Sequence, residues 1–177
     1  GYELTSILVN GTAIEGTTFT VTADAVVTAT FTQKVVEAET YTITIVKGGK
    51  GTGNVTVVES AKAGDAITLT AAGTTENAKG YACVTTAITS ADVTLTTTTA
   101  KTGAYTGATF TMPAKNVTIT VNFQILGDIN LSGGITGSDA TILKRYNNGN
   151  YTMTAEKMIV ANVAGSSNAT VNSSDAT

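Results

Sequence analysis

Residues 128–139 read DINLSGGITGSD, and their spacing is that of a cation-wrapping loop. With Asp128 as position 1, side-chain oxygens fall at position 3 (Asn130), position 5 (Ser132), position 9 (Thr136) and position 12 (Asp139). Gly133 stands at position 6, where such a loop turns sharply. Gly134 at position 7 offers its carbonyl, and Ile135 at position 8 is expected to pack inward. Oxygen-only ligands at these intervals, followed by a helix, suit calcium. Ser132 stands where an acid is usual and Asp139 where glutamate is usual, so two charged ligands predict modest affinity. A strand leads into the loop and a helix leaves it, which makes half an EF-hand.

The pattern recurs. Ile135–Thr141 is ITGSDAT, and Val171–Thr177 is VNSSDAT. Ungapped alignment puts Ala164 at position 1, Ser166 at 3, Asn168 at 5, Ala169 at 6 and Asp175 at 12. A two-residue insertion instead brings Asn162 to position 1. In either register this copy lacks the first acid, and weak calcium binding is expected.

Other chemistries lack their residues. There is no histidine and one cysteine among 177 residues, which excludes Ser-His-Asp and Cys-His relays, imidazole metal sites and an internal disulfide. Cys83 reads as a small apolar side chain. Ten basic against 13 acidic residues argue against nucleic acid. No apolar run approaches the ~18 residues of a membrane span. Gly48–Gly53 lacks the phosphate-loop pattern and reads as a hairpin turn. Glu37 and Glu39 are the one close pair of acids that could be considered for glycoside hydrolysis, and they fall in a linker. No enzyme is expected.

The elements that must position the loop are strands. Threonine is β-branched and suits strands, and it supplies 38 residues. An internal repeat relates GTTFTVTADAVVTATF (16–31) to GATFTMPAKNVTITVNF (107–123). Only the second copy has a front half: strands at Tyr41–Val46, Val55–Glu59 and Ala66–Ala71, with a turn at Gly64-Asp65. Four parts are therefore expected. Residues 1–33 are the rear half of a β repeat, 34–40 a linker, 41–124 a complete repeat, and 125–177 a calcium-binding module. Ser138–Tyr146 reads as a helix capped by Ser138 or Asp139, and Thr154–Ala161 as a second.

The stretch GDIN-x-SGGITGSDATILKRY, with the degenerate VNSSDAT, resembles a dockerin, the module that docks cellulosomal and related bacterial surface proteins onto cohesins. The resemblance implies calcium held by Asp128, Asn130, Ser132, Gly134, Thr136 and Asp139. It also implies cohesin contact through Gly137, Ser138, Lys144 and Arg145, and a cohesin-bearing scaffoldin or cell-surface protein as partner. GYELTSILVNGTAIEGTTF and GATFTMPAKNVTITVNF resemble the divergent internalin-type B repeats of bacterial surface proteins. That resemblance implies small β-rich domains, β-grasp-like or sandwich-like, serving as stalk or adhesion modules outside the cell. The fold expectation is therefore mainly β with a C-terminal EF-hand-like loop–helix module. The competing function is an adhesin whose β domain binds a glycan or host ligand while the calcium loop is only structural.

Overall fold

The computed structural model describes residues 1–164, 171, 172 and 175. The chain is mainly β and divides into two compact units, residues 1–38 and 39–177.

In the first unit, β1 (Tyr2–Val9), β2 (Thr12–Ala13) and β3 (Val27–Gln33) form an antiparallel sheet in the order β2-β1-β3. The β1–β2 turn is Asn10-Gly11, with φ of 49° and 81°. Positive φ at both central residues matches the twist of paired strands and is tolerated by Asn and Gly. Asn10 also ties the turn to β3's entry: its N–H donates to the Val26 carbonyl and its Oδ1 accepts from the Val26 N–H.

The second unit begins with β4 (Thr40–Gly48), so the expected linker already contributes its last residue to a strand. There follow β5 (Gly53–Thr56), β6 (Ser60–Lys62), β7 (Ala66–Gly73), β8 (Cys83–Thr89), β9 (Thr96–Thr99), β10 (Tyr105–Thr111) and β11 (Val117–Ile125). They form two four-stranded sheets, β5-β7-β10-β9 and β6-β4-β11-β8. β4 and β11 run parallel, and their other pairings are antiparallel.

Alternation along the strands turns one face of each sheet inward. Ile67, Leu69 and Phe110 from one sheet meet Ile43, Ile119, Val121 and Phe123 from the other in a single apolar cluster. The repeat equivalents in the first unit have no such cover. Phe110, Ile119 and Phe123 are 7%, 0% and 1% exposed, whereas Phe19, Val27 and Phe31 are 39%, 51% and 59% exposed. The same sequence pattern is thus core in the second unit, where β4 and β7 lie over it, and exposed in the first.

The glycine run 48–53 is not a hairpin. It carries the chain from β4 in one sheet to β5 in the other. A turn signal alone does not distinguish a hairpin from a corner, and here the glycines serve close approach. A Cβ at Gly49 would lie 2.0 Å from the Phe123 carbonyl oxygen, one at Gly51 2.7 Å from the Gln124 backbone, and one at Gly53 2.0 Å from the Phe123 ring. The corner is pressed onto β11 at the point where that strand parts from β4 and stays paired with β8.

Two helices follow, α1 (Gly137–Asn147) and α2 (Ala155–Ala161). The N-cap of α1 is Thr136, not the expected Ser138 or Asp139. Asp139 instead occupies the third helical position and accepts the Thr136 N–H at 2.8 Å, one half of a capping box. Thr154 caps α2, accepting the Lys157 N–H at 3.4 Å. Ile129, Leu143, Met153, Ala161 and Val171 form a second apolar cluster. Backbone bonds from Leu126 N–H to the Ala82 carbonyl and from Gly127 N–H to the Val160 carbonyl fix the loop's entrance between β8 and α2.

Candidate metal centre

β11 delivers the chain to Gly127, whose φ of +94° turns it into the loop. Both carboxylates lie inside: Asp128 is 0% and Asp139 2% exposed. Neither has an ion-pair partner among the described residues. Backbone N–H groups hold them instead. Asp128 Oδ1 accepts from Ser132 N–H at 2.9 Å, and its Oδ2 accepts from Gly133 N–H at 2.6 Å. Asp139 Oδ1 accepts from Asn130 N–H at 2.9 Å, and its Oδ2 accepts from Thr136 N–H and from Thr136 Oγ1.

These bonds wind the loop around its own acids. Ser132 N–H is shared between Asp128 Oδ1 and Asn130 Oδ1, both at 2.9 Å, so positions 1 and 3 present oxygens side by side. The Ser132 hydroxyl reaches toward Asp128 Oδ1 and the Gly134 carbonyl. Gly133 has φ +98°, the sharp turn expected at position 6. Leu131 sits at φ +59°, unusual for a branched side chain. These bonds join Asp128, Asn130, Ser132 and Gly134 in one group and Thr136 with Asp139 in a second, and the Asn130 N–H links the two.

Burying two like-charged carboxylates in one small loop is unfavourable unless a cation or several donors compensate. The backbone donors compensate in part and leave lone pairs on both carboxylates. Hard oxygen donors of this kind suit calcium, so the residue set fits the ion.

Two expectations require correction. Ile135 at position 8 does not pack inward. It is 45% exposed and lines, with Val163, an open cleft of about 260 Å³ beside Ile129 and Leu143. The ungapped register of the second copy also fails. Ile129 N–H bonds the Gly127 carbonyl, and Val163 N–H bonds the Ala161 carbonyl. Asp139 accepts from Asn130 and Thr136, and Asp175 accepts from Ala164 and Asn172. Asn162 therefore matches Asp128, and Ala164 matches Asn130, which is the register with the two-residue insertion. Ser166, Asn168 and Ala169 lie outside the described residues.

Gly137, Ser138, Lys144 and Arg145 are all exposed on α1, Gly137 in line with Lys144 and Ser138 with Arg145 at seven-residue spacing, in two rows about 100° apart. Arg145 stacks over the Tyr151 ring at 5.7 Å, and Lys157 approaches the same ring at 5.5 Å. Tyr151 thus gathers two cations near the end of α1, a grouping with no signal in the sequence.

Sequence reasoning also missed a polar junction behind the loop. Glu156 of α2 accepts from Thr86 on β8 and from Gln124 on β11, and Lys79 Nζ donates to the Gly133 carbonyl at 3.0 Å. No helix among the described residues is long and apolar enough to cross a membrane. No protein family, curated protein or solved structure matches the chain.

Proposed function

We propose that residues 125–177 are a calcium-folded, dockerin-like docking module, and that the β units are the stalk of an extracellular bacterial surface protein. The observation that carries the reading is the loop itself. Asp128 and Asp139 are both buried and flank Asn130, Ser132, Gly134 and Thr136 at the spacing calcium requires. Calcium would be held by those six residues and would offset the repulsion between the two carboxylates. The exposed face of α1, with Gly137, Ser138, Lys144 and Arg145, is the docking surface, and its partner is a cohesin-bearing protein. The module turns over no external substrate in this reading.

Calorimetry of calcium into EDTA-stripped protein tests the metal, with one site of micromolar or tighter affinity expected. A cohesin panel tests the docking. Binding that requires calcium and is lost in the double variant Lys144→Ala/Arg145→Ala supports it. Calcium binding without any cohesin partner would leave the adhesin reading, in which residues 41–124 carry a ligand and the loop braces the stalk.

A further inference from the structure

We propose that the Thr86 hydroxyl and the Gln124 carboxamide condense to an internal ester, catalysed by Glu156, which covalently clips β8 to β11. None of its groups is among the proposed calcium ligands, although Glu156 lies on α2 of the same module.

The geometry supplies each role in an acyl transfer. Thr86 is the extra residue of a β-bulge: β11 pairs Asn122 with Ala87 and Phe123 with Thr85, leaving Thr86 between them. A bulge re-aims a side chain that regular pairing would place elsewhere. Here Thr86 Oγ1 donates to Glu156 Oε1 at 3.0 Å. Gln124 Nε2 donates to the same oxygen at 2.9 Å. The hydroxyl and the amide nitrogen are therefore no more than about 6 Å apart. Gln124 Oε1 accepts the Lys50 backbone N–H at 2.9 Å. A backbone N–H can only donate and a carboxylate can only accept, so the orientation of the amide is determined by its partners. Thr86 and Gln124 are 4% and 7% exposed, so bulk water is largely kept from the pair.

In the reaction, Thr86 Oγ1 attacks Gln124 Cδ and passes its proton to Glu156 Oε1. Negative charge develops on Gln124 Oε1, where the Lys50 N–H already points, as an oxyanion donor must. Glu156 then returns the proton to Nε2, which touches the same carboxylate oxygen. The C–N bond breaks, the C–O bond remains, and ammonia leaves. One hydroxyl and one primary amide become one ester and one ammonia, with no oxidant and no cofactor. An ester is weaker than an amide, so the exchange is drawn forward by protonation and escape of ammonia and by the high effective concentration of the two groups. Gly51 belongs to the same device. Its missing side chain lets the Gly48–Gly53 corner lie against the Gln124 backbone and bring the Lys50 N–H within reach.

Intact-mass spectrometry of the denatured full chain reads the product. The expected wild-type mass is lower than the sequence mass by one ammonia, about 17 Da, and hydroxylamine should cleave the ester to a Gln124 hydroxamate and a free Thr86 hydroxyl, about 16 Da above the sequence mass. Fragmentation of a protease digest should join the peptide containing Thr86 to that containing Gln124. Thr86→Val should show the full sequence mass. Glu156→Gln should form the product at least about 100-fold more slowly, as loss of a general base predicts. Circular dichroism confirms that both variants are folded. Full sequence mass in folded wild-type protein after prolonged incubation overturns the proposal. So does an ammonia loss that persists in Thr86→Val, which would place it elsewhere, for example in a cyclised Asn148-Gly149 pair.

Discussion

Removing the Asp128 carboxylate should act on stability and on calcium response in separable ways. Asp128 accepts N–H groups from Ser132 at 2.9 Å and Gly133 at 2.6 Å, with no exposure to solvent. In Asp128→Ala the Ser132 N–H keeps Asn130 Oδ1 as acceptor, and the Gly133 N–H loses the acceptor it has here. One unsatisfied buried donor costs about 1–3 kcal/mol, so the variant should lose about that much. Calcium adds a second term. A ligand that binds only the folded state at 100 times its Kd stabilises by about 2.7 kcal/mol. Residues 39–177 melt as one unit in this reasoning, because the Leu126–Ala82, Gly127–Val160 and Lys79–Gly133 bonds tie the loop to the sheets and α2. For a unit of roughly 140 residues, that calcium term raises the melting temperature by about 10 °C. Scanning calorimetry of wild type and Asp128→Ala, each with EDTA and with saturating calcium, separates the terms. Wild type should shift by the calcium increment. The variant should melt lower in EDTA and show no increment. Equal wild-type melts in calcium and EDTA, with no heat of binding, would refute the reasoning and leave the loop as a structure held by its backbone bonds alone.

The other predictions concern the strands. Ile119→Ala, at a position with no exposure, should cost about 2–5 kcal/mol in denaturant melts, whereas the equivalent deletion at the repeat's exposed Phe31 should cost less than about 1 kcal/mol. Gly51→Ala should cost about 1–3 kcal/mol, because its Cβ meets the Gln124 backbone at 2.7 Å; a melt unchanged from wild type would show that the corner is not pressed onto β11. The Thr118 N–H and then the Lys115 ammonium hold the Asp92 carboxyl below its ordinary value. A lowered folded-state value gives stability that is present above the unfolded carboxylate's range and lost as pH falls through the folded value. Asp92→Asn should therefore flatten part of the acid limb of the melting-temperature profile, and NMR titration should find Asp92 below ordinary aspartates.

What could be read in advance was what lies close together along the chain. The Asp128–Asp139 loop was legible because all its oxygens fall within 12 residues, and its backbone bonds run between those same residues. The β11 strand was legible because Val117, Ile119, Val121 and Phe123 alternate. The Gly48–Gly53 corner was misread because glycine serves a hairpin and a sheet-to-sheet crossing equally well, and only the pairing of β4 with β11 and β5 with β7 decides between them. Thr86, Gln124 and Glu156 were invisible as a group. A bulge in β8, the end of β11 and the first turn of α2 bring them together, and no short-range pattern connects those three places.

The second loop shows which part of the first is frame and which part is charge. Asp139 and Asp175 accept corresponding pairs of backbone N–H groups, and the residues after Asp128 and Asn162 bond back to corresponding carbonyls. The bonds at the two ends of the loop therefore recur although position 1 has changed from a carboxylate to an amide and position 3 from Asn to Ala. Both position-1 side chains stay buried, Asp128 at 0% and Asn162 at 3% exposure. A neutral amide there removes the repulsion that a second carboxylate would bring, and with it the reason to recruit a cation. In the first loop the corresponding bonds hold two carboxylates, so at position 1 the copies differ in charge. Calcium titration should accordingly show one site, and Asp128→Ala should abolish it.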